Sequence, residues 1–174
     1  MGDADRPAGI EVRPVRPEEC AETGRETRAG FAAIFGETDH EYLDMVADVA
    51  GRSGRTTVLV ALENGRILGS ITLELTDKVD AERELAPDEA HLRMLGVAPQ
   101  AQGRGAGRAL IEAAAVLARA AGKRRLTLGT LPEMTAARRL YQAMGFLGGV
   151  PVEHAPGRSH LSYELALASD PSPT

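Results

Sequence analysis

The 174-residue chain has one cysteine, Cys20, so it can form no internal disulfide and cannot build a four-cysteine or cysteine/histidine zinc site. That scarcity fits a reducing, cytoplasmic setting. Its longest apolar stretch, 109–121, is interrupted by Glu112 and Arg119 and falls short of the roughly 20 residues a membrane span needs. The opening run Met1-Gly2-Asp3-Ala4-Asp5 is acidic and lacks an apolar core, unlike a secretory signal. Basic charge is also in short supply: 20 Lys and Arg face 25 Asp and Glu, a net charge of −5. Neither a nucleic acid nor an anionic membrane is therefore the expected partner. The four histidines, His40, His91, His154 and His160, show no ligand spacing such as H-x-x-x-H, so no metal is implied.

What is present is enough for a core. With 43% hydrophobic and 26% charged residues the composition is globular, and the length suits one domain of roughly 100–200 residues. Residues 1–9 and 168–174, rich in Gly, Pro, Asp and Ser, read as flexible tails around a single domain at 10–167. Alternation predicts a strand over 10–15, with Pro14 marking an edge or an end. Helical composition over 17–28 stops before Gly30, and helical spacing over 39–49 stops at Gly51. Apolar, β-branched runs at 56–62 and 67–75 flank an Asn64-Gly65 turn signal, the clearest hairpin in the chain. A charged connection over 77–90 precedes a strand at 91–97 and a loop at 98–103. A helix follows over 106–121, with Ala106, Ala109, Leu110, Ala113 and Leu117 on one face. A strand at 125–131, a helix at 134–144 and a strand at 159–166 complete an α/β or α+β pattern.

Chemistry concentrates in Gln102-Gly103-Arg104-Gly105-Ala106-Gly107-Arg108, between a strand and a strong helix. Three glycines in five residues let backbone N–H groups approach a ligand, and the first turn of the helix adds unpaired N–H groups and the positive end of a macrodipole. An anion of the phosphate or pyrophosphate type is the guest this favours. Residues 101–125 carry Arg104, Arg108, Arg119, Lys123, Arg124 and Arg125 against Glu112 alone. That cationic segment in an acidic chain suits a small anion. The loop lacks the Lys-Ser/Thr pair of a nucleoside-triphosphate loop. It also lacks the third glycine of a dinucleotide fingerprint, since Arg108 and Leu110 stand at the two candidate positions.

The six residues from Gln102 to Gly107 match without exception the Gln/Arg-x-x-Gly-x-Gly/Ala pattern of the coenzyme A loop of the GNAT superfamily of N-acetyltransferases. Leu92 to Pro99 resembles that family's strand before the loop, and Ala137 to Phe146 its later helix motif. The resemblance is strong over 91–146. It implies a central, mostly antiparallel, twisted sheet with splayed middle strands and about four helices, and acetyl-CoA as co-substrate, with transfer to a primary amine of a small molecule or peptide in a ternary complex. It implies that the backbone of Leu95, Gly96 and Val97 meets the pantetheine arm. Gln102, Gly103, Arg104, Gly105, Ala106, Gly107 and Arg108 then hold the pyrophosphate.

By the same resemblance Tyr141 is the general acid for the departing thiolate. The position of the family's frequent glutamate base matches His91, with Glu89 two residues earlier. Arg138 and Arg139 read as solvated, while Glu37, Asp39 and His40 could line an acceptor pocket. Met134 replaces a common asparagine, which leaves open a non-catalytic acyl-CoA sensor or interaction module. A nucleotide-phosphate domain would require the flanking motifs to be coincidental. A homodimer is compatible by analogy only, and Cys20 matches no catalytic motif.

Overall fold

The computed structural model of the chain describes residues 9–76 and 84–168, and the side chains of all of these except His154 and Ala155. The expectations for the tails at 1–8 and 169–174, and for 77–83 of the charged connection, lie outside the described residues. Seven strands form one sheet in the order β1-β2-β3-β4-β5-β7-β6. They are β1 (Ile10–Pro14), β2 (Thr57–Glu63), β3 (Arg66–Glu74), β4 (Glu89–Val97), β5 (Arg125–Thr130), β6 (Leu147–Ala155) and β7 (Arg158–Ala166). The helices are α1 (Cys20–Phe35), α2 (His40–Ala47), α3 (Val49–Ser53), α4 (Ala106–Ala120) and α5 (Thr135–Ala143). The β4–β5 pair is parallel, whereas β1–β2, β5–β7 and β6–β7 are antiparallel. This is the mostly antiparallel α/β architecture the resemblance implied.

The chain divides into two compact units. One contains β1, β2, α1, α2 and α3, β3 as far as Thr72, β4 from Met94, and α4 as far as Ala113. In it, the β2–β3 hairpin turns where Asn64 and Gly65 both take positive φ, 51° and 76°. Two successive left-handed residues match the twist of the flanking strands, which is why Asn-Gly signals such turns. Helix α1 does not stop before Gly30. It runs on to Phe35 and ends at Gly36, because Gly30 serves packing: a Cβ there would sit 2.5 Å from the carbonyl oxygen of Val97. The helix expected over 39–49 is two helices. Asp48 leaves helical geometry and caps α3 by accepting from the Gly51 N–H at 2.9 Å. Buried Arg52 then donates to the carbonyls of Met45, Val46 and Asp48 and to Thr72 Oγ1, at 2.9–3.0 Å, closing the end of α2.

The other unit holds β3 from Leu73, β4 as far as Arg93, α4 from Ala114, and everything C-terminal to it. Strand β6 escaped sequence reading because Gly148, Gly149 and Pro151 resemble a loop. Gly148 and Gly149 take φ of 139° and 81° at a register shift against β7. A bulge on an edge strand tolerates both glycine and proline. The buried residues of α4 are Ala106, Leu110, Ile111, Ala114, Ala115 and Ala118. Leu117, expected inside, is 37% exposed.

Candidate functional site

Strand β4 and the loop after it carry the first group of expected site residues. Met94 has φ of 53° although it lies within a strand, a left-handed kink that costs a non-glycine residue about 1–2 kcal/mol. The parallel register with β5 covers four pairs and ends at Leu92↔Leu128, just before that kink, while β4 continues to Val97. The edge of β4 at Leu95, Gly96 and Val97 thus extends past its β5 register. Gly96 is buried against α1: a Cβ there would lie 2.7 Å from the Thr27 carbonyl oxygen and 3.1 Å from the Phe31 ring. The same part of α1 is locked to β3 by a buried 2.6 Å hydrogen bond between Thr27 Oγ1 and Ser70 Oγ.

Beyond the strand, Ala98 N–H donates to Leu68 O at 2.8 Å, and Gln102 Nε2 donates back to Val97 O at 3.2 Å, tying the loop to the strand end. Gly103 and Gly105 take φ of 78° and 88°, the left-handed conformation for which glycine is needed. Residues 102–105 are exposed. Ala109 N–H donates to Gly105 O at 3.0 Å, so the N–H groups of Ala106, Gly107 and Arg108 fall in the turn with no intrahelical acceptor. The loop therefore presents donors at the positive end of a 15-residue helix. Two cations flank it: Arg104, held at 2.6 Å by Glu63, and Arg108, 3.7 Å from Glu112. Both are about half exposed.

The second group lies in the other unit. Glu89 is buried, at 2% exposure. Its Oε1 accepts from Thr127 Oγ1 at 2.6 Å, and its Oε2 from Ala86 N–H at 3.1 Å and Arg125 Nη2 at 3.4 Å. His91 is half-buried, with Nδ1 2.8 Å from the same Thr127 hydroxyl. Thr127 is the residue sequence reading missed. It enters because β4 and β5 pair His91 directly with Thr127, and no signal in a single sequence fixes the register of strands so far apart.

Tyr141 is buried on α5, its ring centroid 5.7 Å from Phe146 and 5.9 Å from Tyr163. Arg138 is half-buried rather than solvated, donating to Tyr163 Oη at 3.2 Å and to Pro132 O at 3.3 Å. Arg139 is exposed. Met134 Sδ accepts from Thr130 Oγ1 at 3.3 Å.

Of the residues offered for an acceptor pocket, Glu37 and Asp39 are engaged locally, and His40 opens α2. Glu37 pairs with Arg28 at 2.7 Å, and this hydrogen bond holds its carboxyl below the usual range. Asp39 caps α2 by accepting from Tyr42 N–H at 3.0 Å. Cys20 is a buried free thiol packed with Val49 and Val58. Among the described residues no group of three or more His, Cys, Asp or Glu is arranged to hold a metal, and no helix is long and apolar enough to cross a membrane.

Residues 22–146, which include β4, the glycine loop, α4 and α5, match the model of the acetyltransferase (GNAT) family. The chain belongs to that family. Over 83 residues this GNAT chain is 39% identical to the mycothiol acetyltransferase of Beutenbergia cavernae, a match covering 48% of this chain and 25% of that protein. It thus spans about a quarter of that relative's length. Among solved structures, it is similar to a GNAT family acetyltransferase from Brucella melitensis in complex with acetyl-CoA. That likeness has a TM-score of 0.62 and 26% identity, covering 92% of this chain and 90% of that one. It also shares the fold of yncA from Salmonella typhimurium, solved with its cofactor acetyl-CoA, at a TM-score of 0.66 and 22% identity over 95% and 98% of the two chains.

Proposed function

We propose that this GNAT protein is an N-acetyltransferase that moves the acetyl group of acetyl-CoA directly to a primary amine of a small molecule or peptide. The observation that carries the reading is the paired left-handed geometry of Gly103 and Gly105 ahead of α4. It turns main-chain donors outward where a diphosphate would be held, in a chain whose family is defined by acetyl transfer. The residues fit the donor: Gly103, Gly105 and the first turn of α4 supply neutral N–H donors, while Arg104 and Arg108 add charge. The edge of β4 at Leu95, Gly96 and Val97, beyond the β5 register, supports a pantetheine arm that pairs with it as a further strand would.

The donor contributes an acetyl group already activated as a thioester. Protein side chains manage the protons. An alkyl amine with a pKa of roughly 10 is mostly protonated at neutral pH and must lose a proton before it attacks. His91 is assigned that proton. Glu89 is assigned a supporting role, because a carboxylate accepting three hydrogen bonds in a buried position is already committed. Tyr141 is assigned the proton delivered to the departing thiolate. The Beutenbergia cavernae relative, named for mycothiol, supports acetyl transfer as the reaction class, and the acidic balance of the chain favours a cationic acceptor.

The test is release of free thiol from acetyl-CoA in the presence of a panel of polyamines, aminoglycosides, amino acids and peptides. Amine-dependent release is expected. Binding of acetyl-CoA without release for any amine would instead identify a sensor, and ATP displacing CoA at equal concentration would identify a nucleotide site.

A further inference from the structure

The hydroxyl of Thr127 stands between a carboxylate and an imidazole. Its Oγ1 is 2.6 Å from Glu89 Oε1 and 2.8 Å from His91 Nδ1, with Ala90 O at 3.5 Å. A threonine hydroxyl has one proton to give and lone pairs to receive with. Glu89, buried and flanked by the Arg125 guanidinium and the Ala86 N–H, is an acceptor at both oxygens. A buried carboxylate draws the proton of a 2.6 Å contact in preference to a carbonyl at 3.5 Å. Once that proton is committed to Glu89, Thr127 Oγ1 can only accept from the ring, so Nδ1 of His91 must carry hydrogen. The lone pair of the neutral ring then lies on Nε2.

We propose that Thr127 is a positioning residue which, anchored by Glu89, fixes His91 as its Nδ1–H tautomer and so makes Nε2 the atom that takes the proton of the acceptor amine. This rests on His91 being the base. The proton passes from the amine nitrogen to Nε2, leaving the amine lone pair to form the bond to the acetyl carbon, while the thioester bond breaks toward sulfur. The resulting imidazolium gains from the same chain: its Nδ1–H remains bonded to Thr127, and the Glu89 charge lies one hydroxyl away. The arrangement places a negative charge behind a histidine while keeping a hydroxyl, rather than a carboxylate, as the group that touches the ring.

The tautomer can be read without donor or acceptor. Nitrogen-15 chemical shifts of the neutral His91 ring should show a protonated Nδ1 and an unprotonated Nε2 in the wild-type protein. Thr127→Val should lose that signature and lower kcat about 10- to 100-fold, with acetyl-CoA affinity changed less than about twofold. Thr127→Ser, which keeps the hydroxyl, should restore both. A wild-type ring protonated at Nε2, or a Thr127→Val variant that keeps both the Nδ1–H signature and full kcat, overturns the proposal. A fully active His91→Ala protein, with the wild-type tautomer as expected, overturns instead the assignment of His91 as base, and the two failures are told apart by which measurement breaks.

Discussion

The loop at 102–108 and the strand pair at 89–92 and 125–128 handle polarity in opposite ways. The loop offers main-chain N–H groups at the start of α4, preceded by the exposed residues 102–105 and two left-handed glycines. In the strand pair the polar groups are side chains, buried or half-buried and closed into a chain of hydrogen bonds from Arg125 through Glu89 and Thr127 to His91. On the proposed function, the loop would hold the diphosphate of acetyl-CoA through backbone donors. On the same reading, the strand pair would set where a proton goes. Binding and chemistry would then rest on main-chain groups in one region and on side chains in the other, and each could be damaged without the other.

The largest expected effect is on the loop. Gly105→Glu forces a side chain into a left-handed residue, at about 1–2 kcal/mol, and puts negative charge at the helix N-terminus. Calorimetry should show acetyl-CoA binding weakened by more than about 100-fold with the fold intact by circular dichroism; retained binding would remove this loop as the cradle. Next is Tyr141→Phe, which should lower kcat by about 100-fold while acetyl-CoA affinity stays near wild type. Unchanged turnover would leave Tyr141 as packing between Phe146 and Tyr163. The smallest is Arg104→Ala. If the main chain does the holding, losing a half-exposed guanidinium already paired with Glu63 should raise the acetyl-CoA Kd only about three- to tenfold, and less at high salt. A loss as large as that of Gly105→Glu would show that charge, rather than backbone geometry, dominates the site.

The contrast also explains what could be read in advance. The loop was legible because its signal is local: Gly103, Gly105 and Gly107 stand at every second position within five residues. The hairpin at Asn64-Gly65 was legible for the same reason. Thr127 was not, since its role arises from the β4–β5 register that sets it opposite His91. Glycine misled where its smallness rather than its flexibility mattered: Gly30 read as a helix stop but is a contact surface within α1. In β6, where no strand was expected, Gly148 and Gly149 form a bulge at an edge. The fold class depended on element order, which survived these errors, whereas the hydrogen-bonded group of Glu89, Thr127 and His91 depended on pairing, which the order of elements does not encode.

The contact between Gly30 of α1 and Val97 at the end of β4 leaves no room for even a methyl group. At this point helix and strand meet backbone to backbone, while one residue earlier on β4 the Thr27 and Phe31 side chains fill the space against Gly96. A tilt of α1 would press directly on the strand end to which Gln102 ties the glycine turn. Pressure on that helix from outside would therefore reach the glycine turn through two contacts, Gly30 on Val97 and Val97 with Gln102.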